Sequence, residues 1–351
     1  MKLVVAIDSF KGSASSRELN EAVKAGILSV FPSADVVTFE IADGGEGTLC
    51  ALQQGLGGEF VEVETVDLLE RPVCARYLLA GELAIIEAAE VIGIDKITPS
   101  PETIVRATTV GLAKLFRDAK KRGATEIVLS LGGTGTSDGG LGLLSGLGGS
   151  LEALPEFADV KLTGLADVNN SYAGPAGYAA VFGAQKGGTP EILGQQDLQA
   201  QKVADFVKEK YQIDLQMIPG TGAAGGLGGA LVLLGGHIEP GFAKIAALLK
   251  IEEAIKTADL VITGEGRLDF QTANGKVPSG MARLAAKYDV PTIAFAGGLA
   301  PDLGEMELLL LASYSIQCEA VSLTDAMQKE KTLENIKRLA KNVSRTYFHT
   351  N

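Results

Sequence analysis

The chain has 351 residues, of which 46% are hydrophobic, and a formal net charge of −12. This length suits two domains better than one, and the lack of any block of Lys or Arg argues against a nucleic-acid-binding protein. Three widely separated cysteines, Cys50, Cys74 and Cys318, form no CxxC pair, which argues against a zinc site or a disulfide framework and fits a cytoplasmic protein.

The apolar segments are too short for a membrane protein. Only five apolar residues separate Lys2 from Asp8, fewer than a signal-peptide core needs. No apolar run approaches the ~18 residues of a membrane span, so we expect no membrane association. The two histidines, His237 and His349, make a Ser-His-Asp triad a poor explanation, and acid–base chemistry would fall to Asp, Glu or Lys.

The first part of the chain alternates strand-like and helix-like segments. Residues 2–8 are almost all apolar, which is typical of a buried parallel strand, and residues 16–30 show helical spacing. A second strand is predicted over 35–43. Residues 59–94 alternate apolar and polar side chains around an Ala-Gly turn, as antiparallel strands do. A helix that ends at a glycine is predicted over 103–123.

The rest of the chain contains glycine-dense loops and then regular alternation. A strand opens into the glycine loop 131–140, a polar helix follows near 191–211, and the strand-like stretch 213–218 precedes more glycines. The predicted helices and strands of the last third are helix 242–257, strand 259–266, helix 278–288, strand 291–298, strand 308–316 and helix 331–347.

These patterns predict an α/β protein with two domains. The two ends of the chain show regular β-α-β alternation, whereas the middle is mixed. We expect one α/β domain from residues 1–60 and 237–351, with a second α/β domain, 61–236, inserted into it. In open parallel sheets, ligands bind beyond the carboxyl ends of the strands, and the glycine and acidic loops here follow strands in that way.

Five loops combine glycine with charged residues, in a chain whose 44 glycines are about twice the usual ~7%. They span 7–13, 42–48, 131–140, 167–170 with 182–188, and 263–276. Their acids are Asp8, Asp43, Glu46, Asp138, Asp167, Glu265 and Asp269, their cations are Lys11, Lys186, Arg267 and Lys276, and Thr134, Thr136 and Ser137 add hydroxyls. A single loop of this kind could cap a helix, but five exceed what capping requires.

This composition favours phosphoryl transfer. Carboxylates suit Mg²⁺, and cations and backbone amides neutralise the charge on transferring oxygens. The loop 131–140 is the best phosphate-binding candidate, although a tight strand-to-helix turn is the alternative. Glu87 lies in an apolar run, so it is either an active-site acid or a structurally paired one.

Two common nucleotide-binding motifs do not explain the glycine loops of this sequence well. No GxxxxGK[ST] motif occurs. A GxGxxG motif occurs at Gly220, Gly222 and Gly225, with Glu239 as a possible ribose ligand, and would indicate a dehydrogenase. Because Pro219 interrupts the passage from strand to glycines, a dehydrogenase is the weaker interpretation.

The ordered motifs resemble those of the class I glycerate kinase family, the bacterial two-domain type. They are DSFKGS, ADGGEGT, GGTGTSDGG, DVNN, VFGAQKGG, PGTGAAGGLGGAL and DLVITGEGRLDFQT, spread over nearly the whole chain. Departures from the family pattern are small: the family usually has Ser-Ala-Thr-Asn at 134–137 and proline at Ser171 and Ala184. None of these changes removes an acid or a cation.

The resemblance implies ATP-dependent phosphorylation of D-glycerate with Mg²⁺, usually to 2-phosphoglycerate. It also implies a Rossmann-like (flavodoxin-like) parallel-sheet domain, a second mixed α/β domain inserted into it, and an active site in the cleft between them. Four alternatives stay open: a kinase for another small hydroxy acid, 3-phosphorylation, an NAD-dependent dehydrogenase, and a non-catalytic sugar-acid sensor. The protein could be a monomer or a homodimer.

We assign expected roles to the residues of these motifs. Arg267, with Lys11, is expected to bind the substrate carboxylate, and Asp43, Glu46 or Asp269 to accept the hydroxyl proton. The expected catalytic residues are Asp43, Glu46, Asp269 and Lys11, and the expected substrate-binding residues are Arg267, Glu265, Ser9 and Glu87. ATP is expected to contact Gly132, Gly133, Thr134, Thr136, Ser137 and Lys186. Asp138 and Asp167 are the expected metal ligands.

Overall fold

The computed structural model describes residues 1–41, 48–273 and 275–349. The strands β1 to β11 are, in order, Lys2–Ile7, Asp35–Thr38, Glu59–Val66, Pro72–Ala80, Leu83–Glu87, Glu126–Ser130, Lys161–Leu165, His237–Glu239, Leu260–Leu268, Thr292–Leu299 and Ala312–Ser315. The helices α1 to α15 are Ser16–Leu28, Thr48–Leu56, Ala89–Ile92, Pro101–Arg106, Leu112–Lys121, Leu141–Gly146, Tyr178–Phe182, Pro190–Tyr211, Ala223–Leu233, Gly241–Leu248, Ile251–Ile255, Val277–Ala286, Met306–Leu309, Leu323–Ala326 and Lys329–Tyr347.

The chain forms two compact units. The first contains Met1–Asp43, Cys50–Leu56 and Phe242–Asn351, and the second contains Gly44–Leu49 and Gly57–Gly241. The chain therefore passes to the second unit twice, because the short segment Cys50–Leu56 belongs to the first unit, and its last part, from Phe242 on, is again in the first unit. The predicted division into two domains, with boundaries after residues 60 and 236, stays a prediction.

The first unit contains a five-stranded parallel sheet in the order β2-β1-β9-β10-β11. Counted within the unit this order is 2-1-3-4-5, the flavodoxin-like arrangement, which confirms the predicted fold class. β1 is an interior strand and Leu3 to Ile7 are fully buried, as expected for a strand covered on both faces. Gly264 on β9 approaches β10 so closely that a Cβ there would lie 2.0 Å from the Phe295 carbonyl oxygen.

Helix α1 fastens the carboxyl ends of two strands of this sheet. The buried Asn20 side chain accepts a hydrogen bond from the Ile7 amide at 3.0 Å and donates one to the Phe39 carbonyl at 2.7 Å. The Ser16 hydroxyl donates to the Ile7 carbonyl at 2.6 Å. A capping box between Ser15 and Glu18 starts the helix. These bonds fix the point where the chain leaves β1 for Asp8.

The second unit contains a six-stranded mixed sheet in the order β3-β4-β5-β6-β7-β8. β3, β4 and β5 pair antiparallel, as predicted for residues 59–94, whereas β5 to β8 run parallel. The register aligns Glu87 with Ser130, Ser130 with Leu165, and Leu165 with Glu239. The segments that follow β6 and β7 therefore emerge at the edge where Glu87 lies.

Several predicted elements differ from the structure. The predicted helix 103–123 is two helices, α4 and α5, and the predicted helix 242–257 is interrupted where Lys250 has a φ of 54°. The predicted strand 308–316 is wrong for its first residues, because Met306–Leu309 is helical and β11 begins at Ala312. The stretch 213–218 is not a strand. Among the described residues, no helix is both long and apolar enough to cross a membrane.

Candidate active site

A cavity of about 500 Å³ opens at the carboxyl edge of the parallel sheet in the first unit. Its lining comes from the residues that follow β1, from the carboxyl ends of β9 and β10, and from residues between 316 and 332 that follow β11. Of the predicted site residues, five lie here together: Ser9, Lys11, Glu265, Arg267 and Asp269. Asp8 and Lys276 complete its charged wall. These residues belong to separate sequence motifs, and the fold brings them to one edge of the sheet.

Glu265 is the buried acid of this wall, with 7% of its surface exposed. The Thr272 hydroxyl donates a hydrogen bond to its Oε1, and the Lys276 ammonium lies 3.3 Å from its Oε2. Burial raises the pKa of Glu265, and the two partners oppose that rise. Thr272 Oγ1 also accepts a hydrogen bond from the Asp269 amide at 3.1 Å, so one buried hydroxyl orders two acids of the wall.

Arg267 is a highly accessible cation of the wall, with 73% of its side chain exposed, compared with 35% for Lys276. Its Nε lies 3.8 Å from Asp269 Oδ2, a distance that leaves the guanidinium fork available for a second carboxylate. Lys11 is exposed as well. The Ser9 amide donates to Asp8 Oδ1 at 2.7 Å, which holds the turn after β1 against the cavity.

The glycine loop that follows β6 in the second unit contains the predicted phosphate-binding residues. The hydroxyl-bearing residues Thr134, Thr136 and Ser137 are 7%, 0% and 5% exposed. Ser137 Oγ donates to Gln196 Oε1 at 3.0 Å, and Thr136 Oγ1 has no partner among the described residues. Gly132 is half-buried and Gly133 is exposed, with a φ of 70° at Gly133. The accessible part of this loop is thus its glycine backbone.

Lys186 supports this loop from within. It is 3% exposed, and its Nζ donates a hydrogen bond of 2.6 Å to the Thr136 carbonyl. Burial lowers the pKa of Lys186 to about 8, against an opposing effect of Asp138. A direct contact with phosphate would require the ammonium to leave Thr136, so this predicted contact stays a prediction.

Asp138 is engaged by hydrogen bonds within its own unit. Its Oδ2 accepts from the Thr109 amide and hydroxyl, both at 2.8 Å, from the Gly142 amide at 3.1 Å, and from the Thr108 hydroxyl at 3.3 Å. Its Oδ1 accepts from the Gly140 amide at 3.0 Å. A carboxylate offers about four acceptor positions, so the donors already present leave little capacity for a metal ion.

The GxGxxG glycines have a packing role beside this loop. A Cβ on Gly225, whose φ is 67°, would lie 2.0 Å from the Thr136 carbonyl oxygen, and the Gly225 carbonyl accepts from the Gly139 amide at 2.9 Å. No strand precedes these glycines, so the context that a dinucleotide fingerprint requires is missing. The motif thus packs the start of α9 against the loop after β6.

Glu87 caps a helix. It is 7% exposed, its Oε1 accepts from the Leu49 amide at 2.8 Å, and the Thr48 backbone also donates to the carboxylate. Burial raises the pKa of Glu87 to about 7, while these amides oppose that rise. Of the two interpretations left open for Glu87, this geometry supports the structurally paired acid at the start of α2.

The predicted metal ligands do not form a ligand cluster in the described part of the chain. Asp167 is exposed and its Oδ1 accepts from the Gly241 amide at 3.0 Å. Within residues 1–41, 48–273 and 275–349, no group of three or more His, Cys, Asp or Glu side chains is arranged to hold a metal ion. Asp43 and Glu46, two of the predicted catalytic residues, lie outside the described residues.

Three residues important to these sites carried no role in the sequence interpretation: Asn20, Thr272 and Gln317. The buried amide of Asn20 sets the exit from β1, and Thr272 orders the acids after β9. Gln317 lines the cavity after β11. The sequence could have singled out Asn20, because a polar side chain on the apolar face of α1 indicates a buried hydrogen-bonding role. Thr272 and Gln317 are identified only by the fold.

Comparison with known proteins identifies the family. The sequence pattern of the glycerate kinase family matches residues 3–154 and 149–348. The chain belongs to the glycerate kinase family. This confirms the resemblance seen in the motifs and the prediction that the protein is an enzyme, a kinase that uses a nucleotide.

Relatives within the glycerate kinase family match over nearly their whole length. The chain is 35% identical to "Glycerate kinase" of Bacillus subtilis, with 98% of this chain and 97% of that protein covered. It is 33% identical to "Glycerate 2-kinase" of Escherichia coli, with 99% and 98% covered. A crystal structure from Salmonella typhimurium LT2, described as a glycerate kinase 2, has a TM-score of 0.85 at 34% identity and covers 99% of this chain and 98% of its own.

Proposed function

We propose that the protein transfers the terminal phosphoryl group of ATP to the 2-hydroxyl of D-glycerate and releases 2-phosphoglycerate and ADP. The observation that carries this proposal is the full-length similarity to proteins named glycerate kinase, one of which is named glycerate 2-kinase. The charged cavity of the first unit supports it, since this acidic chain gathers three cations there.

We assign the substrate carboxylate to Arg267 and Lys11. Both side chains are exposed at the cavity, and a guanidinium can bind a carboxylate through two parallel hydrogen bonds. Glu265 is held by Thr272 and Lys276, so its role is to shape the wall and to position the Lys276 ammonium. Ser9 lies beside the same opening and can hydrogen-bond a substrate oxygen.

Asp269 is our candidate for the group that orients the substrate hydroxyl and accepts its proton. It lines the cavity with 22% of its side chain exposed, and its Oδ1 accepts a hydrogen bond from the Gln271 amide at 3.0 Å. A general base must lie within hydrogen-bonding reach of the proton that it removes. Asp43 and Glu46 stay alternative candidates for this role.

The nucleotide phosphates and Mg²⁺ are assigned from the residues that fit them. The accessible glycine backbone at Gly132 and Gly133 suits phosphate oxygens, and Lys186 stabilises this loop through its hydrogen bond to the Thr136 carbonyl. Asp138 does not fit a metal ligand because its oxygens accept hydrogen bonds from five donors, whereas the exposed Asp167 carboxylate fits one. Mg²⁺, when bound, neutralises charge on the phosphate oxygens.

A coupled ADP-release assay with purified protein tests the proposed function. ADP formation should require ATP, Mg²⁺ and D-glycerate together, and should be slower with glycolate, lactate or tartronate in place of glycerate. Formation of ADP with another hydroxy acid but not with glycerate would show that the other hydroxy acid is the substrate. Tight binding of glycerate without any ADP formation would instead support the sugar-acid sensor, and thermal stabilisation by NAD alone would support the dehydrogenase.

A further inference from the structure

The cavity of the first unit is larger than a three-carbon acid requires. Its volume is about 500 Å³, within the ~300–1,000 Å³ typical of sites that enclose drug-sized ligands. The proposed contacts to glycerate use the charged wall alone. Space for a second and larger ligand group therefore lies against the rest of the lining.

The rest of the lining is largely apolar. Phe10, Ile316, Leu323, Ala326 and Met327 form it, and we call this group the apolar wall. Leu323 and Met327 are 75% and 38% exposed, although both are large apolar side chains. An apolar surface of this kind beside charged groups is complementary to a ligand with a flat, weakly polar part and a charged part.

Hydrogen bonds hold the apolar wall in place. The Ser322 hydroxyl caps α14 by accepting from the Asp325 amide at 3.1 Å, and the Thr332 hydroxyl donates to the Ala326 carbonyl at 3.2 Å. Thr332 Oγ1 also lies 2.7 Å from the Ser13 hydroxyl, which ties the wall to the loop after β1. A surface that is already ordered loses less conformational entropy when a ligand binds.

Gln317 adds a polar group with unused hydrogen-bonding capacity. It lines the cavity directly after Ile316, and its Oε1 is buried without a hydrogen-bond partner among the described residues. A buried acceptor without a donor is unfavourable, and a rotation of the Gln317 side chain toward the cavity would allow an amino group on a ligand to supply that donor. Carboxamide side chains recognise adenine in this way, through its amino group and a neighbouring ring nitrogen.

The place in the fold points to the same ligand class. The sheet order 2-1-3-4-5 reverses between β1 and β9, and open sheets of this kind bind ligands at that reversal, beyond the carboxyl ends of the strands. Asp8 after β1 and Glu265 on β9 both line the cavity at this position.

We propose that the apolar wall binds the base and ribose of the nucleotide, with Gln317 contacting the base. This proposal rests on the proposed kinase function, because it assigns a position to the nucleotide which that function requires. It predicts that the wall contributes affinity for ATP but not for a phosphate chain without a base.

Isothermal titration calorimetry on the full-length protein tests the proposal with three ligands, ATP, inorganic tripolyphosphate and D-glycerate. Leu323→Ser should weaken ATP binding about tenfold, because a nonpolar contact is lost, and should leave the Kd for tripolyphosphate and D-glycerate within twofold. Leu308→Ser is the matched control: Leu308 is 90% exposed in the same unit and does not line the cavity. It should change none of the three Kd values.

Two results would overturn the proposal: unchanged ATP affinity in Leu323→Ser, or an equal loss of affinity for ATP and tripolyphosphate. The result separates this proposal from the proposed function. If wild-type protein phosphorylates glycerate while Leu323→Ser binds ATP normally, the wall assignment fails and the kinase function stands. If Leu323→Ser selectively loses affinity for ATP while wild-type protein phosphorylates no glycerate, the wall assignment stands and the proposed glycerate kinase function is wrong.

Discussion

The ammonium of Lys186 donates a hydrogen bond of 2.6 Å to the main-chain carbonyl of Thr136. The motif that contains this lysine suggests a flexible turn with a cation ready for phosphate, yet the side chain is 3% exposed. Its hydrogen bond is directed into the loop after β6. The lysine therefore contributes to the shape of the proposed phosphate loop, and its effect on activity should be linked to an effect on stability.

Replacement of Lys186 by Met tests this link. The change leaves the buried Thr136 carbonyl without its donor, so the free energy of unfolding of the second unit should fall by ~1–3 kcal/mol. Urea denaturation measures it. Lys202→Met, at an exposed lysine of α8, is the control and should be close to neutral. Normal stability of Lys186→Met combined with loss of ATP affinity would favour a direct phosphate contact instead.

Asp138→Asn separates a structural role from a metal-binding role. The Asn side chain keeps one acceptor oxygen, which can take the place of Oδ2, but its amino group would then face the Gly140 amide that now donates to Oδ1, and the negative charge that strengthens these hydrogen bonds would be lost. We expect a loss of stability of ~3 kcal/mol, with the Mg²⁺ concentration for half-maximal activity unchanged. Asp205→Asn, at an exposed acid of α8, is the control. A higher Mg²⁺ requirement without destabilisation would restore Asp138 as a metal ligand.

Arg267→Ala tests the carboxylate assignment. Steady-state kinetics should show kcat/KM for D-glycerate reduced by ~10²-fold or more, since a charge-assisted contact is lost, with KM for ATP little changed. Arg283→Ala is the control because Arg283 is also exposed in the first unit, pairs with Glu305 and does not line the cavity. If the loss appeared only in ATP affinity, with glycerate handling intact, the assignment would be wrong.

Glu87 gives a prediction for the pH dependence of stability. Its folded pKa is raised to about 7 from an ordinary value of 4.5, so the native state binds the proton more tightly than the unfolded state. The stabilisation is therefore fully present below pH 4.5 and disappears as the pH rises through about 7. Relative to Glu87→Gln, wild-type protein should lose up to roughly 3 kcal/mol of stability across that interval.

Urea denaturation of both proteins at several pH values between 4 and 8 measures this difference. Glu156→Gln is a useful control because Glu156 is an exposed acid of the same unit. A difference between wild type and Glu87→Gln that does not vary with pH would show that Glu87 titrates normally in the folded protein.

The regular parts of the fold could be predicted from the sequence because local pattern and tertiary environment agree there. β1 is an apolar run that the structure buries, and α8 has the length and polar surface predicted for it. The helix predicted over 103–123 failed for a tertiary reason. Its middle residues Thr108 and Thr109 donate to Asp138 and leave the helix, a long-range interaction that no local pattern reveals.

The candidate site could be predicted by residue but not by role. The motifs singled out the charged residues after β1 and β9, which line one cavity in the structure, because glycine with charge at a strand end is a local signal. The sequence does not show which charges are satisfied inside the protein. Lys186, Asp138 and Glu87 all have buried partners far away in the chain, and those contacts determine whether a charged group supports a loop or faces a ligand.

The central claim is transfer of a phosphoryl group from ATP to the 2-hydroxyl of D-glycerate, and ³¹P NMR of the reaction products tests it most directly. Purified protein incubated with ATP, Mg²⁺ and D-glycerate should produce the resonance of 2-phosphoglycerate in step with ADP, and the Arg267→Ala protein should produce it far more slowly. A product that is 3-phosphoglycerate alone, or ADP formed with inorganic phosphate and no phosphoglycerate, would contradict the claim.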